Sequence, residues 1–542
     1  MNVPSSSNID PDLLRTLVNK AQPGPNFINK QVAPQSSLNI EAWSKFADIF
    51  SPSDSTLLEQ LQWGFPTGVP EDALLSVPFT NHASARKHPA IVEEYINKHL
   101  RSNAIYGPFS CNPLDIDIIV SPIQVAFSNS GKARVCNDLS YGEFSVNSVI
   151  SPDWNDYPGF EGEFSLPCAD DLIQAILDIG PGAMLWKTDF SSYYKQLPTD
   201  MAQINTLAFV YDNRIYFEAR LPFGMRSSCL NAQRTTRAAI TIFRSKSKSF
   251  ATGYVDDVIG ASRRLCARVD YDLFWSVSDE LGLEKTLAKC VPPVTSEVWI
   301  GLLFDTILME ISLPVEKLER IIDMLKQWLS KEHGSKTALQ SLLGTLNHAA
   351  SVVVIGRAFT GHIMDLIRES EFPIHLTVEF KKDVAFWLSF LQDSKLCRAA
   401  FKSPRTLPCD SILKLCVLGN KFAVQIHDTV GYFEIEDKLE VTHTVAFVYA
   451  IWMASMMIAD QVKGQWLTVA VPTVQDVNTI NRARPVLTEL CPMVRQSWWV
   501  QATYDFVIRA RKGSMDRQID SLIAQCTDFT PVSRKTVPDY FM

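Results

Sequence analysis

The stretch FATGYVDDVIGAS (residues 250–262) places two adjacent acids between runs of apolar and β-branched residues. Such runs favour extended structure, and Gly253 and Gly260 mark the points where each run ends. The pattern therefore predicts a tight β-hairpin that holds the carboxylates of Asp256 and Asp257 at its tip.

Two neighbouring carboxylates repel each other and are costly to bury, so a hairpin alone gives no reason for the pair. A divalent cation would make the arrangement favourable, because Mg²⁺ in proteins is held by one or two carboxylates together with substrate phosphates. The competing interpretation is a solvated turn, since Asp is a common turn residue. A further acid elsewhere in the chain is needed to separate the two interpretations.

Asp189 is the candidate for that acid. It lies in LWKTDFSSYYKQLP (185–198), where apolar residues lead into it as a short buried strand and a turn into a helix follows. We expect Asp189 to stand at a strand end, facing Asp256 and Asp257 across a sheet. Three carboxylates from two strands can hold two Mg²⁺ ions about 3.5–4 Å apart, an arrangement suited to nucleotidyl transfer.

The order of short motifs along the chain resembles that of reverse transcriptases. The first, second and third palm motifs are matched by KTDFSSYYKQLP (187–198), LPFGMRSSCLNAQ (221–233) and YVDD (254–257). EKT (284–286) is similar to the fourth motif and VWIG (298–301) to the primer grip, and GKARVCNDLS (131–140) is similar to the fingers segment that meets the incoming triphosphate.

Further segments resemble the DIRS group of tyrosine-recombinase retrotransposons, and the likeness covers roughly residues 60–400 well. The N-terminal segments are WGF (63–65), NHASA (81–85), GPF (107–109) and SP (121–122). The thumb and connection segments are LPVEKLERIIDML (313–325), LQSLLGTLNHAASVVVIGRAF (339–359) and DVAFWLSFL (383–391).

The resemblance implies an α+β fold: a right-hand polymerase with fingers, palm and thumb, followed by a small α/β ribonuclease-H-like domain. The expected regions are a loosely ordered lead-in (1–60), fingers with the first palm strands (61–180), the palm with its catalytic motifs (181–312), a helical thumb and connection (313–400) and the ribonuclease-H-like domain (410–542). Within the thumb, the spacing of Val315, Leu318, Ile322, Leu325 and Leu329 predicts one apolar helix face, for which a helix of the hydrophobic core is the alternative interpretation.

Residue roles follow from the same resemblance. Asp189, Asp256 and Asp257 would be the catalytic ligands of two Mg²⁺ ions, for which Mn²⁺ is a substitute, with the Phe190 carbonyl as a candidate fourth ligand. Tyr194 matches the aromatic residue that blocks a ribose 2′-hydroxyl and so selects dNTPs. A tyrosine of the hydrophobic core is the alternative interpretation of Tyr194.

The second motif supplies two further expectations, a backbone bend at Gly224 and a template-side amide at Gln233. Trp299 and Gly301 would form the primer grip. The motif also departs from the family pattern, because Ser228-Cys229 stands where Ala-Pro is usual and Ala232 stands where an aromatic residue is usual. These departures would loosen the dNTP pocket without affecting the metal ligands.

Two cations are candidates for contacts with the triphosphate. Arg134 is suited to bidentate phosphate binding, and Lys285 is placed to contact or protonate the departing pyrophosphate. Either residue could instead be a surface charge. The fingertip lysine that the family carries before Arg134 is missing here.

Composition and charge limit the function classes. The chain has 542 residues, 46% hydrophobic and 20% charged, which is typical of a globular protein. No uninterrupted apolar run of membrane-spanning length and no secretion signal is seen, so we expect an intracellular protein, nuclear or cytoplasmic, with no membrane partner. The 11 cysteines form no metal-binding spacing.

The net charge of −8 is unusual for a nucleic-acid-binding protein. Local basic clusters offset it, and we expect them to flank the site: Arg86-Lys87, Lys132 with Arg134, Arg244 with Lys246 and Lys248, and Arg263, Arg264 and Arg268. Each cluster is equally typical of a solvated surface.

The C-terminal part predicts a ribonuclease-H-like domain without nuclease activity. Strand-like FAVQIHD, TVGYFEIED and WLTVAVP alternate with helix-like segments there. Laying the family pattern on the chain puts Ile426, Val448 and Pro472 where acids belong, and leaves only Asp520 as a match. Asp428 and Asp476 would replace the missing acids only if this alignment is shifted.

Three functions remain in competition. The first is an RNA-directed DNA polymerase of a retroelement, using an RNA template, a DNA or RNA primer and dNTPs, with a recombinase as a separate partner. The second is a decayed or domesticated scaffold that binds nucleic acid without catalysis. The third is a hydrolase with paired acids, which explains neither the motif order nor Tyr194.

Overall fold

The computed structural model describes most of the chain up to residue 401 and four strands beyond it. The described residues are 3–4, 6–21, 36–70, 72–73, 80–127, 131, 133–160, 164–353, 356, 359–368, 373–393, 397–401, 412–418, 421–426, 429–434 and 468–470. They fall into two compact units, Met1–Ile300 with Asp305–Leu308, and Gly301–Phe304 with Met309–Met542. No helix in these ranges is long and apolar enough to cross a membrane.

Helices occur throughout the described ranges before residue 392. They are α1 (Pro11–Ala21), α2 (Ile40–Lys45), α3 (Ala47–Phe50), α4 (Leu57–Trp63), α5 (Ala83–Lys87), α6 (Pro89–Arg101), α7 (Val146–Val149), α8 (Ala169–Ile179), α9 (Arg226–Lys246), α10 (Ala267–Glu280), α11 (Val315–Ser330), α12 (Lys336–Ala349), α13 (Gly361–Arg368) and α14 (Val378–Leu391).

Strands alternate with these helices from residue 105 onward. They are β1 (Ile105–Phe109), β2 (Ile123–Phe127), β3 (Ala133–Asn137), β4 (Met184–Asp189), β5 (Ala208–Tyr211), β6 (Arg214–Glu218), β7 (Phe250–Tyr254), β8 (Asp257–Ser262), β9 (Val291–Val294), β10 (Ser296–Trp299), β11 (Leu302–Asp305), β12 (Glu310–Ser312), β13 (His333–Gly334), β14 (Ile374–His375), β15 (Arg398–Ala400), β16 (Ile412–Leu418), β17 (Lys421–Ile426), β18 (Thr429–Glu434) and β19 (Thr468–Ala470).

The central sheet of the first unit has the order β7-β8-β4-β9 and carries the predicted hairpin. β7 and β8 pair antiparallel, with Tyr254 opposite Asp257, so Val255 and Asp256 alone form the turn. β4 pairs antiparallel with β8 and places Asp189 directly opposite Asp257. The predicted convergence of the two motifs on one sheet is therefore confirmed.

Gly253 and Gly260 lie inside β7 and β8 and do not end them. A Cβ atom at Gly260 would come within 2.0 Å of the Trp186 indole, and one at Gly253 within 2.7 Å of the Thr236 methyl group. Gly260 therefore leaves room for the indole of Trp186 on the paired strand β4, and Gly253 leaves room for Thr236 of α9. Reading them as strand ends was wrong.

A buried aromatic cluster supports this sheet from one side. Trp186 of β4 meets Phe243 of α9 at a ring-centroid distance of 5.5 Å and Phe274 of α10 at 5.4 Å, and all three side chains are fully buried. Rings of this size dominate core energetics. The two helices are thereby fixed against the strand that carries Asp189.

The fingers elements are built around a second, smaller sheet of order β1-β6-β5 and the β2–β3 hairpin. The hairpin pairs Ala126 with Arg134, so Arg134 lies at the end of the hairpin where β2 connects to β3, and it is exposed. Helix α6 packs on β1 and β3 through its apolar face.

The N-terminal region is more ordered than the sequence indicated. Trp43 of α2 is completely buried, and its indole nitrogen donates a hydrogen bond of 3.0 Å to the Leu281 carbonyl at the end of α10. Phe50 and Leu57 join the same core cluster. Within the described part of 1–60, α2 to α4 therefore belong to the palm core, and a loosely ordered lead-in does not describe them.

Helix α11 of the second unit lies where the helical spacing predicts, but its buried face is different. Ile321, Leu325 and Trp328 are buried, whereas Leu318, Ile322 and Leu329 are half-buried and Val315 is exposed. Trp328 contacts Phe380 of α14 at a ring distance of 5.8 Å. Because a tryptophan offers more apolar area than an isoleucine, it sets which helix face is buried.

The described C-terminal strands form a sheet of order β18-β17-β16-β19, with β19 parallel to β16 and the other pairs antiparallel. This confirms the three predicted strands and adds β16 before them. Ile426 is the last residue of β17, and its alignment with the first acid of the family pattern stays a prediction. β16 itself contains no acid. Val448, Pro472, Asp520, Asp428 and Asp476 lie outside the described residues.

Replacing Trp43 with Ala should destabilise the first unit by about 3–5 kcal/mol, because removal of a fully buried indole leaves a cavity. Native-state hydrogen exchange across α10 measures this loss. Lys45→Ala, an exposed position on the same helix, should change the value by less than about 0.5 kcal/mol. Equal stability of both variants would show that α2 is not part of the core.

Candidate active site

The three aspartates of the palm converge at one edge of the central sheet. Asp189 and Asp257 end neighbouring strands in direct register, and the Asp256 carbonyl accepts a hydrogen bond of 2.9 Å from the Phe190 amide. Asp189 is 5% exposed. Antiparallel pairing brings directly opposed side chains about 4.5–5.5 Å apart at Cβ, so the acids are neighbours by backbone geometry.

The turn that carries Asp256 is strained. Val255 adopts φ +56° although it is β-branched, a conformation that costs free energy unless its surroundings enforce it. Two side chains of α9 enforce it here. The Val255 amide donates to Gln233 Oε1 at 2.8 Å, and the Val255 carbonyl accepts from Thr236 Oγ1 at 2.5 Å.

Gln233 binds the backbone of the hairpin on both sides of Tyr254. Besides accepting from Val255, its amide nitrogen donates to the Gly253 carbonyl at 2.8 Å, and the side chain is 2% exposed. Its amide therefore faces the catalytic hairpin, which differs from the template-side role that the resemblance implies. Gln233 is a positioning residue in this structure.

Two lysines pair with the aspartates. Lys289 Nζ lies 2.7 Å from Asp189 Oδ2, and Lys187 Nζ lies 3.1 Å from Asp257 Oδ1. Lys187 also donates to the Val298 carbonyl at 3.0 Å, so it is held in place from two sides. The sequence reasoning missed both residues. Lys187 precedes Asp189 by two positions on one strand, and this period of two places both on one face.

Burial disfavours the ionised forms of two of the three aspartates. Burial raises the pKa of Asp257 to about 6, against the opposing effect of Lys187. Burial also raises the pKa of Asp256, and the charge of Asp189 raises it further, whereas Lys289 and Arg134 lower it. The nearby cations therefore leave two carboxylates harder to ionise than free aspartate.

The donor set fits a hard divalent cation in its chemistry, because carboxylate oxygens are the ligands that Mg²⁺ prefers. No group of three or more His, Cys, Asp or Glu side chains is gathered closely enough to hold a metal within the residues that the structure describes. Asp189 and Asp257 are each turned toward a lysine. Burial is the main cause of the raised pKa values of Asp256 and Asp257, and a bound cation would favour their ionised forms.

Tyr194 lies beside this edge in a single helical turn, Tyr193–Gln196. Its ring meets Phe223 edge-on at 4.9 Å, and it is half-buried. Burial raises the pKa of Tyr194, with additional contributions from neighbouring Cys229 and Asp256. Tyr194 is therefore neither fully buried in the core nor fully exposed at the surface, and it lies near Asp256.

Gly224 has the backbone bend that the second motif implies. Its φ is +96°, and a Cβ atom there would come within 2.7 Å of the Asn137 carbonyl. The Gly224 carbonyl accepts a hydrogen bond of 2.7 Å from Asn147. The bend thus brings the second motif against the fingers strand β3 at a distance that only glycine allows.

Lys285 does not reach the aspartates. Its ammonium group pairs with Asp279 and lies 4.8 Å from the centre of the Trp275 ring, and the side chain is 4% exposed. The short helical turn Leu287–Lys289 brings Lys289 to Asp189 instead. The proposed pyrophosphate contact at Lys285 is therefore wrong, and no sequence signal separated the two lysines.

The primer-grip candidates fall in different units. Trp299 is fully buried and donates to the Asp257 carbonyl at 3.0 Å, so it fixes the first residue of β8. Gly301 belongs to the second unit, has φ +75°, and its carbonyl accepts from Lys317 at 3.2 Å. A direct primer contact by either residue stays a prediction.

The basic clusters around the hairpin lie at its far end. Arg244 and Lys246 end α9 before β7 begins, and Arg263 and Arg264 follow the last residue of β8. β8 has six residues and rises about 3.3 Å per residue, which separates these clusters from Asp257 by about 20 Å. These two clusters therefore do not adjoin the carboxylates, whereas Arg134, which belongs to another of the expected clusters, lowers the pKa of Asp256 by its charge. Among the described residues, Lys187 and Lys289 also pair with the aspartates.

Replacing Gln233 with Met should destabilise the first unit by about 2–4 kcal/mol, because it leaves the Val255 amide and the Gly253 carbonyl buried and unpaired. The unfolding free energy in guanidinium chloride measures the loss. Gln327→Met, at an exposed position of α11, should change it by less than about 0.5 kcal/mol. An unchanged value for Gln233→Met would contradict the anchoring role.

Replacing Asp257 with Asn should stabilise the protein at pH 8 in the presence of EDTA by about 1–3 kcal/mol. A folded pKa of about 6, against an ordinary 3.8, means that ionised Asp257 destabilises the fold. The penalty is absent below about pH 4, grows between about pH 4 and 6, and is complete above that range. The gain should therefore shrink at pH 5 in thermal denaturation, and Glu59→Gln, at an exposed position of α4, should show no such trend.

Comparison with known proteins adds evidence on the fold. The chain matches no protein-family model and no curated protein. It is similar to the solved structure of the foamy viral protease-reverse transcriptase dRH in complex with double-stranded DNA, with a TM-score of 0.51 and 15% identity over 99% of this chain and 84% of that one. The foamy viral protease-reverse transcriptase in another complex with double-stranded DNA gives a TM-score of 0.49 and 15% identity over 99% of this chain and 100% of that one. At this identity the first likeness bears on the fold alone, and it confirms a reverse-transcriptase-like fold with a ribonuclease-H-like domain.

Proposed function

We propose that this chain is an RNA-directed DNA polymerase that adds dNTPs to a primer 3′-hydroxyl. The observation that carries the proposal is the direct register of Asp189 with Asp257, with Asp256 at the tip of the same hairpin. Three carboxylates at one sheet edge, on a reverse-transcriptase-like fold, favour nucleotidyl transfer over other reactions of paired acids.

Asp189, Asp256 and Asp257 would hold two Mg²⁺ ions, for which Mn²⁺ is a substitute. When bound, these ions lower the pKa of an attacking hydroxyl and neutralise a leaving pyrophosphate. The raised pKa values of Asp256 and Asp257 support this assignment, because a divalent cation would favour their ionised forms.

Lys289 and Arg134 are proposed to contact the triphosphate. Lys289 is half-exposed and lies 2.7 Å from Asp189, and Arg134 is exposed and acts on the charge of Asp256. A phosphate group that enters between them would meet two cations from different elements, which favours one orientation of the nucleotide. Lys289 thus takes the role that the sequence assigned to Lys285.

Tyr194 is proposed to select the deoxyribose. Its ring is braced edge-on by Phe223 and lies near Asp256, so a nucleotide bound to the aspartates would place its sugar against this ring. A ribose 2′-hydroxyl would then clash with the ring. The half-buried state of Tyr194 supports a role in the pocket rather than in the core.

Partners and origin are proposed from the same resemblance. The neighbouring foamy viral protein binds double-stranded DNA, and an RNA template with a DNA or RNA primer is the corresponding duplex here. The motif order supports an origin in a DIRS-type retrotransposon, for which DNA insertion would require a separate recombinase. Phosphate contacts dominate such binding, so little sequence specificity is expected.

Replacing Asp256 with Asn should lower primer extension on poly(rA)/oligo(dT) by at least about 100-fold, because one metal ligand is lost. The assay measures incorporated nucleotide with Mg²⁺ and, separately, with Mn²⁺. The matched control Asp272→Asn, on the exposed side of α10, should keep wild-type activity.

Wild-type synthesis that survives in Asp256→Asn would contradict the metal assignment. A wild type that binds the duplex and makes no product would overturn the polymerase itself. The chain would then be a nucleic-acid-binding scaffold with a reverse-transcriptase-like fold.

A further inference from the structure

The helical turn that carries Tyr194 is held by its other three residues, each tied to a different element. The Tyr193 hydroxyl lies 2.9 Å from Thr236 Oγ1 of α9. Gln196 donates to the Glu284 carbonyl at 2.9 Å and accepts from the Glu284 amide at 2.8 Å. Lys195 reaches toward β6. The position of the Tyr194 backbone is therefore set by these three attachments.

The attachment of Lys195 is a buried ion pair with Glu218 of β6. The two side chains are only 4% and 1% exposed. The hydroxyl of Tyr95, on α6, donates to the second Glu218 oxygen at 2.7 Å. Glu218 thus receives one contact from the turn that carries Tyr194 and one from a fingers helix.

The surroundings of this ion pair keep it from being solvated. The Tyr95 ring meets His99 at a centroid distance of 4.6 Å, and Lys195 lies 5.8 Å from the centre of the Tyr95 ring. Burial lowers the pKa of His99 to about 3, with a further contribution from Lys195, so His99 is neutral at physiological pH. Glu218 is the acid that pairs with Lys195 in this pocket.

Stability alone does not account for such a pair. Burying two charges costs about as much as their attraction returns, and apolar residues of similar volume often give a fold of equal or greater stability. A buried pair does, however, define one geometry, because the ions are strongly unfavourable when separated. An ion pair that fixes the local geometry is useful beside a residue whose position decides which sugar is accepted.

We propose that the network Tyr95–Glu218–Lys195 is a positioning device that holds Tyr194 for sugar selection and links it to α6 of the fingers. The proposal rests on the proposed function, because Tyr194 must meet the sugar of a bound nucleotide. None of the three network residues touches the substrate in this account. They act through the backbone of the turn Tyr193–Gln196.

Two variants disrupt the network to different extents. Tyr95→Phe keeps the ring and removes one hydrogen bond, and the double variant Lys195→Met/Glu218→Gln removes both charges while keeping an acceptor for Tyr95. Discrimination is measured as kcat/KM for dTTP divided by kcat/KM for UTP on poly(rA)/oligo(dT). We expect it to fall about three- to tenfold in Tyr95→Phe and at least about tenfold in the double variant.

Asp270→Asn is the matched control for loss of a buried charge. Asp270 is 5% exposed and accepts from Ser247 and Ser249 at the end of β7 opposite the catalytic turn. We expect it to keep wild-type discrimination. Tyr194→Val gives the discrimination expected when the ring is absent.

A second readout does not depend on synthesis. Cys229 is half-buried beside Tyr194, so a displaced ring should expose its thiol. We expect the rate of Cys229 alkylation by iodoacetamide, followed by mass spectrometry, to rise at least about fivefold in the double variant and to stay unchanged in Asp270→Asn.

Folded variants with wild-type discrimination and an unchanged Cys229 rate would overturn the positioning network. If the wild type makes no product, the proposed function fails, and sugar selection fails with it. A faster Cys229 reaction in the double variant would then still support positioning of Tyr194 by the network, and an unchanged rate would overturn that as well.

Discussion

The site depends on how α9 holds the turn between β7 and β8. Val255 lies in a backbone conformation that a β-branched residue rarely adopts, and Gln233 and Thr236 hold it there through both of its backbone polar groups. This turn fixes Asp256, whose carbonyl in turn binds the Phe190 amide that follows Asp189. The packing of α9, the geometry of the hairpin and the convergence of the acids therefore depend on one another. The strain of the turn is offset by the hydrogen bonds from α9.

The charged side chains at the edge of the β7-β8-β4-β9 sheet distinguish this site from an ordinary β-hairpin. Three carboxylates face Lys187, Lys289 and Arg134, yet the pKa values of Asp256 and Asp257 remain above those of free aspartate. Burial is the main cause, and it outweighs the effect of the nearby cations. In the proposed function, a bound divalent cation would favour the ionised carboxylates.

Much of this arrangement could be predicted from the sequence, and the failures have physical causes. The strand before Asp189 and the hairpin around Asp256 were predictable, because strand pairing follows from short apolar runs with a turn between them. The contacts of Gln233 and Lys289 could not be predicted from the sequence. Each contact depends on the direction in which α9 or a single helical turn points the side chain. Trp43 was missed because its partner, the Leu281 carbonyl, is distant in sequence.

Counting bound metal ions tests the central claim most directly. A ternary complex would be formed with a dideoxy-terminated primer on an RNA template and the next dNTP, and Mn²⁺ would be titrated by electron paramagnetic resonance. The account predicts two tightly bound ions per chain in the wild type and fewer in Asp189→Asn, which lacks one of the shared carboxylates. The same number of ions in both proteins, or none in the wild type, would contradict a metal site at the edge of the β4–β8 sheet.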